Sequence, residues 1–151
     1  MSFLNLTGKT YLVLGVANRK SVAWHVAQRL EEQGATVLHS VRSDARRDAV
    51  RKLLPDREVF VCDVQDAKQI DRLAGEIAHL RLALDGFVHS IAFANYEGFS
   101  GKFHEVSRKD FLQAVDVTCY SLMGLSNALK PVLNKDASVV TISISKTRMA
   151  A

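Results

Sequence analysis

"LVLGVANRKSVAW", Leu12 to Trp24, decides how the chain is read. The apolar run Tyr11-Leu12-Val13-Leu14 ends at Gly15, and a helix-like segment opens near Ser21. A strand, a glycine turn and a helix in that order open a nucleotide-binding unit, whose usual fingerprint is G-x-G-x-x-G. Here Val16, Ala17 and Ser21 stand where further glycines are expected. Gly15 lets the backbone bend sharply and approach a ligand closely. The helix beginning near Ser21 turns free N–H groups and a partial positive charge toward the same place, and the Ser21 hydroxyl adds a further polar group. Backbone amides plus a hydroxyl can hold a pyrophosphate without the other glycines. A tight βα turn with Ser21 as a plain helix cap fits the spacing equally well.

Outward from this stretch, apolar runs of strand length alternate with amphipathic runs of helix length. The spacing predicts strands over Thr10–Leu14, Ala35–Val41, Glu58–Val61, Asp85–Ser90 and Ala137–Ser145. Helices are predicted over Ser21–Gln33, with Val22, Val26, Ala27 and Leu30 facing inward and Gly34 closing the end. Others are expected over Ser43–Leu54, before Pro55, and over Ala67–Leu80 behind an Asp66 cap. An irregular stretch from Ile91 to Val106, holding Gly98 and Gly101, leads to Ser107 and one long helix over Arg108–Leu133. Strands separated by helical crossovers form a parallel sheet covered on both faces. Right-handed crossovers favour a doubly wound α/β sheet of order 3-2-1-4-5.

In such a sheet the ligand lies beyond the carboxyl ends of the strands, where the order reverses between the first and fourth. Gly15 borders that crevice. Asp63, after the third strand, can accept from an adenine amino group while the next N–H donates to the ring; it can equally be a helix-entry residue. Ser90-Ile91-Ala92 are small enough to let a ribose and nicotinamide approach the backbone. Arg42 stands where NAD sites carry an acidic residue for the ribose 2′-OH, and an arginine suits a 2′-phosphate. A solvated surface charge is the alternative.

The 151 residues amount to one domain or to a fragment of a larger one, and a net charge of +4 is modest. The cluster Arg42, Arg46, Arg47, Arg51 and Lys52 has no interleaved aromatics, so it reads as a solvated helix face and nucleic acid is set aside. No apolar run approaches the roughly 18 residues that span a membrane. "MSFLNLTGK" lacks the features of an export signal, and no metal-ligand spacing is present. Cys62 and Cys119, both in segments that read as buried or half-buried, are expected as free thiols in a reducing cytoplasm.

Four segments together resemble one family: "GVANRKSVAW" at Gly15–Trp24, "CDV" at Cys62–Val64, "DGFVHSIAFAN" at Asp85–Asn95 and "SRKDFLQAVDVTCYSL" at Ser107–Leu122. The chain is similar, from about Phe3 to Ser143, to the bacterial enoyl-acyl-carrier-protein reductases, the divergent branch of the short-chain dehydrogenase/reductases. G-x5-S after the first strand and "HSIAFAN" after the fourth belong to that branch. The resemblance implies an incomplete Rossmann-like sheet of about five strands and a cofactor, NAD(H) or NADP(H). It implies that Gly15, Ser21 and Val22 meet the pyrophosphate and its ribose, and that Arg42 discriminates between NADH and NADPH. It further implies that Asp63 and Val64 hold the adenine, that Ser90 and Ile91 flank the nicotinamide half, and that Ala94 borders the substrate.

The family's chemistry delivers a hydride to an enoyl thioester carried on acyl-carrier protein, with a Tyr-x6-Lys pair handling the enolate and the cofactor. Tyr11, Tyr96 and Tyr120 are followed seven residues on by Asn18, Phe103 and Asn127, so the pair is absent and no catalytic residue is assigned. Past Ser143 the sequence leaves the family pattern, and Lys146 reads as a solvated charge. The expectation is a single dinucleotide-binding domain over residues 1–151, cut after the fifth strand. That strand is expected as an exposed edge, and Leu122, Met123 and Leu125 as lacking packing partners. The isolated chain is expected to be inactive, and the family's tetramer is not expected of it. The alternative is a nucleotide-binding or interaction chain that associates with a partner reductase.

Overall fold

The computed structural model describes residues 4–97 and 101–143. Five strands, β1 Thr10–Leu14, β2 Thr36–Val41, β3 Val59–Val61, β4 Leu84–His89 and β5 Leu133–Thr141, form one sheet of order β3-β2-β1-β4-β5. All four pairings are parallel. The helices are α1 Val22–Glu32, α2 Asp44–Arg51, α3 Ala67–His79, α4 Arg108–Val115 and α5 Ser121–Leu129. The doubly wound arrangement is the one expected from the alternation of apolar and amphipathic runs.

Period-two alternation within β1 explains how the sheet is covered on both faces. Leu12 and Leu14 point into a core closed by Leu73 and Ile77 of α3 and Leu125 and Leu129 of α5. Val13 points the other way, toward Ala23 and Ala27 of α1 and Val50 of α2. Of the expected inward stripe of α1, Ala27 is buried and Val26 and Leu30 pack against the core, but Val22, in the first turn, is 52% exposed and Ala23 is buried in its place. Ser43 and Asp66 accept from Arg46 N and Lys68 N and so cap α2 and α3. Gly34, at φ +89°, ends α1 as expected.

The long helix expected over Arg108–Leu133 is broken. Between α4 and α5 the chain makes a π-helical turn, Asp116–Tyr120, and after α5 a 3-10 turn, Lys130–Val132, containing Pro131. The wide turn changes the phase of the helix, so Val117, Ser121, Leu125 and Leu129 form the buried row while α4 buries no residue. The Ser121 hydroxyl donates to Val117 O at 2.6 Å, which satisfies a carbonyl in the widened turn. Leu125 is therefore fully buried rather than unpartnered, whereas Met123 is 61% exposed. Cys119, in the same turn, is exposed, and Cys62 alone of the two thiols is buried.

β5 begins four residues earlier than the run of β-formers indicates. Its register against β4 shifts between Leu84–Leu133 and Gly86–Ser138, so an irregularity accommodates the polar residues Asn134, Lys135 and Asp136. Asp85 ties this region together: one carboxylate oxygen accepts from Thr10 N at 2.8 Å and the other from Asn134 Nδ2 at 3.1 Å. β5 is an edge strand, with Val139 and Val140 exposed as expected. The expected continuation of the strand to Ser145, together with Lys146 and Gly98, lies outside the described residues.

Candidate functional site

A cleft of about 380 Å³ opens beyond the carboxyl ends of β1, β2, β3 and β4. This is the point at which strand order reverses, with β2 and β4 on opposite sides of β1. Its wall includes Gly15, Arg42, Asp63, Val64, Ser90 and Ile91, residues that come from four separate turns. Ser21, Val22 and Ala94 are not part of that wall. Ser21 stands at the head of α1, Val22 projects outward beside it, and Ala94 is exposed on the segment after β4.

Gly15 adopts φ +95°, and a Cβ built there would lie 2.0 Å from the carbonyl oxygen of Ser90. The glycine is thus required by the close approach of the β1 and β4 turns, before any ligand is considered. Its N–H donates to Ser40 O at 3.2 Å, and Ser90 N donates to Leu14 O at 3.3 Å. These bonds lock the three central strand ends together and set the floor of the cleft.

Ser21 is not an ordinary side-chain cap. Its hydroxyl donates to Asn18 O at 2.7 Å and accepts from Ala17 N at 3.4 Å, and it makes no capping bond into α1. The two readings of this residue therefore separate: the hydroxyl organises the turn and leaves the first N–H groups of α1 without a side-chain acceptor.

At the β3 side, Asp63 is held in place by its own backbone. Its N–H donates to Gln69 Oε1 at 3.0 Å, its carbonyl accepts from Asp66 N, and one carboxylate oxygen accepts from Gln65 N at 3.1 Å. The guanidinium groups of Arg42 and Arg46 stand exposed at the mouth. Cys62 lies deeper; burial, with Asp63 close by, pushes its thiol up to about 12. It is a neutral wall residue at physiological pH rather than a nucleophile.

The β4 side is fixed by the π turn. Thr118 Oγ1 accepts from Phe93 N at 3.1 Å and donates to Phe93 O at 3.3 Å, pinning the segment after β4, while Val117 lines the cleft. Beneath, His89 Nε2 and Ser121 Oγ are 2.8 Å apart, and His89 Nδ1 and Thr141 Oγ1 are 3.2 Å apart. Because Ser121 gives its proton to Val117 O, it accepts from His89 Nε2–H, and Nδ1 accepts from Thr141. Burial lowers the His89 pKa, which keeps this neutral tautomer. Asn95 is anchored to Asp110 at 2.9 Å, and that bond together with one from Ser107 holds the Asp110 carboxyl below its usual range.

Sequence reasoning missed several wall residues. Gln65, Phe93 and Val117 join the cleft through loop and π-turn geometry, and Arg46 reaches it from the first turn of α2, placements for which no spacing signal exists. Ser40 was hidden within an otherwise apolar strand. Its position one pleat below Arg42 was the available clue. No group of residues with metal-ligating geometry occurs among the described residues, and no described helix is long and apolar enough to cross a membrane.

A parallel doubly wound sheet with its cleft at the strand reversal defines a Rossmann-like domain. The sequence model of the family described as Enoyl-(Acyl carrier protein) reductase matches residues 15–151, and the chain belongs to that family. It is 37% identical over 139 residues to the NADH-dependent enoyl-acyl-carrier-protein reductase of Enterococcus faecalis, covering 91% of this chain and 56% of the relative. It is 36% identical over 142 residues to the NADPH-dependent enzyme of Staphylococcus aureus, with 91% and 56% covered. The crystal structure of the NADH enzyme of Aquifex aeolicus superposes with a TM-score of 0.85 at 33% identity, covering 91% of this chain and 56% of that one. The chain spans about half the length of the curated relatives it matches.

Proposed function

We propose that this chain supplies the dinucleotide-binding part of an NAD(P)H-dependent enoyl-acyl-carrier-protein reductase of fatty-acid synthesis. The observation that carries this reading is the convergence of Gly15, Arg42, Asp63, Val64, Ser90 and Ile91 on one cleft at the strand reversal. The residues fit such a cofactor. The cleft walls are largely apolar, a carboxylate and two guanidinium groups stand at its adenosine end, and the head of α1 offers N–H groups free of a side-chain cap.

When bound, the nicotinamide supplies a hydride for the double bond of an enoyl thioester. The chain's own residues bind and orient. The first N–H groups of α1 hold the pyrophosphate, aided by the Ser21 hydroxyl once it turns from Asn18 O. Asp63 accepts from the adenine amino group, and Val64 N–H donates to the ring. Arg42, with Arg46 beside it, meets the 2′ substituent of the adenosine ribose. Ser90 and Ile91 let the nicotinamide half lie against the β4 end, Val22 borders the neighbouring ribose, and Ala94 lies toward the acyl substrate. Among the described residues no tyrosine or lysine lines the cleft, so these residues position a hydride donor but assign no proton donor.

We place the protein in the cytoplasm, as one dinucleotide-binding unit, on the strength of its free thiols and its family. A second reading, a nucleotide-binding chain that works by associating with a partner reductase, is favoured by the exposed Val139 and Val140 on the edge strand.

Titration of the 151-residue chain with NADH, followed by nicotinamide fluorescence, tests the proposal; saturable binding is expected, and its absence would overturn it. Mixing the chain with a full-length enoyl-acyl-carrier-protein reductase and following complex formation by size-exclusion chromatography separates the two readings: a stable complex favours the second, and no complex favours the first.

A further inference from the structure

Among the described residues, four buried side-chain polar atoms lack a hydrogen-bond partner: both ring nitrogens of His39, Arg47 Nε and Ser40 Oγ. Only Ser40 also lines the cleft. A buried hydroxyl left without a partner costs free energy, and native structures carry few of them. One that borders a ligand cleft is accounted for when the ligand supplies the missing partner.

The register of the sheet says which part of a ligand that would be. Ser40 pairs with Leu14 on one side and Phe60 on the other, and paired residues of parallel strands share a face. Its hydroxyl therefore stands among the apolar residues on the α3 and α5 side of the sheet, 2% exposed, just below the cleft. Ser40 lies on β2, between β1 and β3, on the opposite side of β1 from Ser90 and Ile91. The two halves of a dinucleotide separate across that reversal point, and Arg42 and Asp63 share the β2 and β3 side with Ser40. The Ser40 carbonyl is already committed to Gly15 N–H, which holds the residue's backbone in place and leaves the hydroxyl as its one unused group.

We propose that Ser40 Oγ is a cofactor-binding group that donates a hydrogen bond to the adenosine half of the dinucleotide, at a purine nitrogen or a ribose hydroxyl, directly or through one trapped water. This inference rests on the dinucleotide reading above and adds to it a contact below the turns that carry the rest of the site. It also gives Ser40 an opposite effect in the two states of the protein. The hydroxyl is a burden to the free chain and an asset to the complex.

The test uses the 151-residue chain, ADP-ribose and NADH as probes of the adenosine half, and nicotinamide mononucleotide as the probe that lacks it. Ser40→Ala is expected to lower affinity for ADP-ribose and NADH about fivefold to tenfold, the usual effect of one lost hydrogen bond. Nicotinamide mononucleotide should bind the two proteins alike. The melting temperature of the free Ser40→Ala chain should equal or exceed that of the original, because an unpartnered buried hydroxyl has been removed. Ser40→Thr, which keeps the hydroxyl, should restore the affinity. Unchanged ADP-ribose affinity in Ser40→Ala overturns the inference alone. So does a clear fall in the melting temperature of free Ser40→Ala, because the hydroxyl would then already serve the fold. If the original chain binds neither NADH nor ADP-ribose, the dinucleotide reading itself fails and this inference falls with it.

Discussion

Part of this protein's sensitivity to acid should come from His39. It sits in mid-strand on β2 and faces the α1 and α2 side of the sheet among Val13, Val37 and Val59, fully buried, with neither ring nitrogen partnered. Burial is the main cause that lowers its pKa from 6.5 to about 4. Glu31 acts the other way and Arg57 adds slightly to the lowering, the two being ion-paired at 2.5 Å. At pH 7.5 the ring is neutral both folded and unfolded, so it contributes nothing to pH dependence there. As the pH falls through 6.5 the unfolded chain takes up a proton that the folded chain refuses until about pH 4, and stability drops across that window. A gap of about 2.5 pH units sets a ceiling of about 3.4 kcal/mol, of which about 2 kcal/mol is lost by pH 5. The measurement is urea unfolding of the original chain and of His39→Leu at pH 7.5 and pH 5. Other titrating groups are shared by the two proteins and cancel in the difference. His39→Leu should gain about 2 kcal/mol on the original chain between these two pH values. A difference that stays constant with pH would refute the reasoning, and would mean that the ring has found an acceptor or a water that keeps it protonatable.

Two further outcomes follow from the cleft. Gly15→Ala must place a Cβ 2.0 Å from Ser90 O, against an ordinary contact of 3.4–4 Å, at a φ of +95° that side chains rarely adopt. A loss of about 2–4 kcal/mol in unfolding free energy is expected, with NADH binding lost alongside it, and a variant as stable as the original would show that the β1 and β4 ends are not in contact. Arg42→Ala should weaken NADPH binding about fivefold more than NADH binding, a modest factor because the guanidinium is exposed, and equal losses for the two cofactors would remove Arg42 from the 2′ position.

His39, His89 and Ser40 show what could and could not be read from the chain. The alternation of apolar and amphipathic runs determined the sheet order because parallel strands admit few connections once their crossovers are right-handed. Turn positions were equally readable: Gly15, at the positive φ that a glycine turn allows, and Asp63, just past β3, both line the cleft at the strand reversal. The interior polar groups were not. Ser40 and His39 are adjacent on β2, so the pleat sends one toward the cleft side and the other into the α1 and α2 core. In "TVLHSVR" only the two-residue spacing between Ser40 and Arg42 indicates which of the two faces the cleft. The π turn was hidden for a related reason. An extra residue in a helical turn leaves composition and periodicity almost unchanged, yet it sets Val117 into the cleft, Thr118 against Phe93 and Ser121 under His89. These placements arise when two helices and three strands close on each other, and a one-dimensional period does not encode them. The contrast between the two histidines makes the point physically. Both are buried with lowered pKa values, but His89 meets two hydroxyls across the β4–α5 and β4–β5 contacts, whereas His39 meets none. His89 therefore binds the base of the cleft together, and His39 remains a liability that acid exposes.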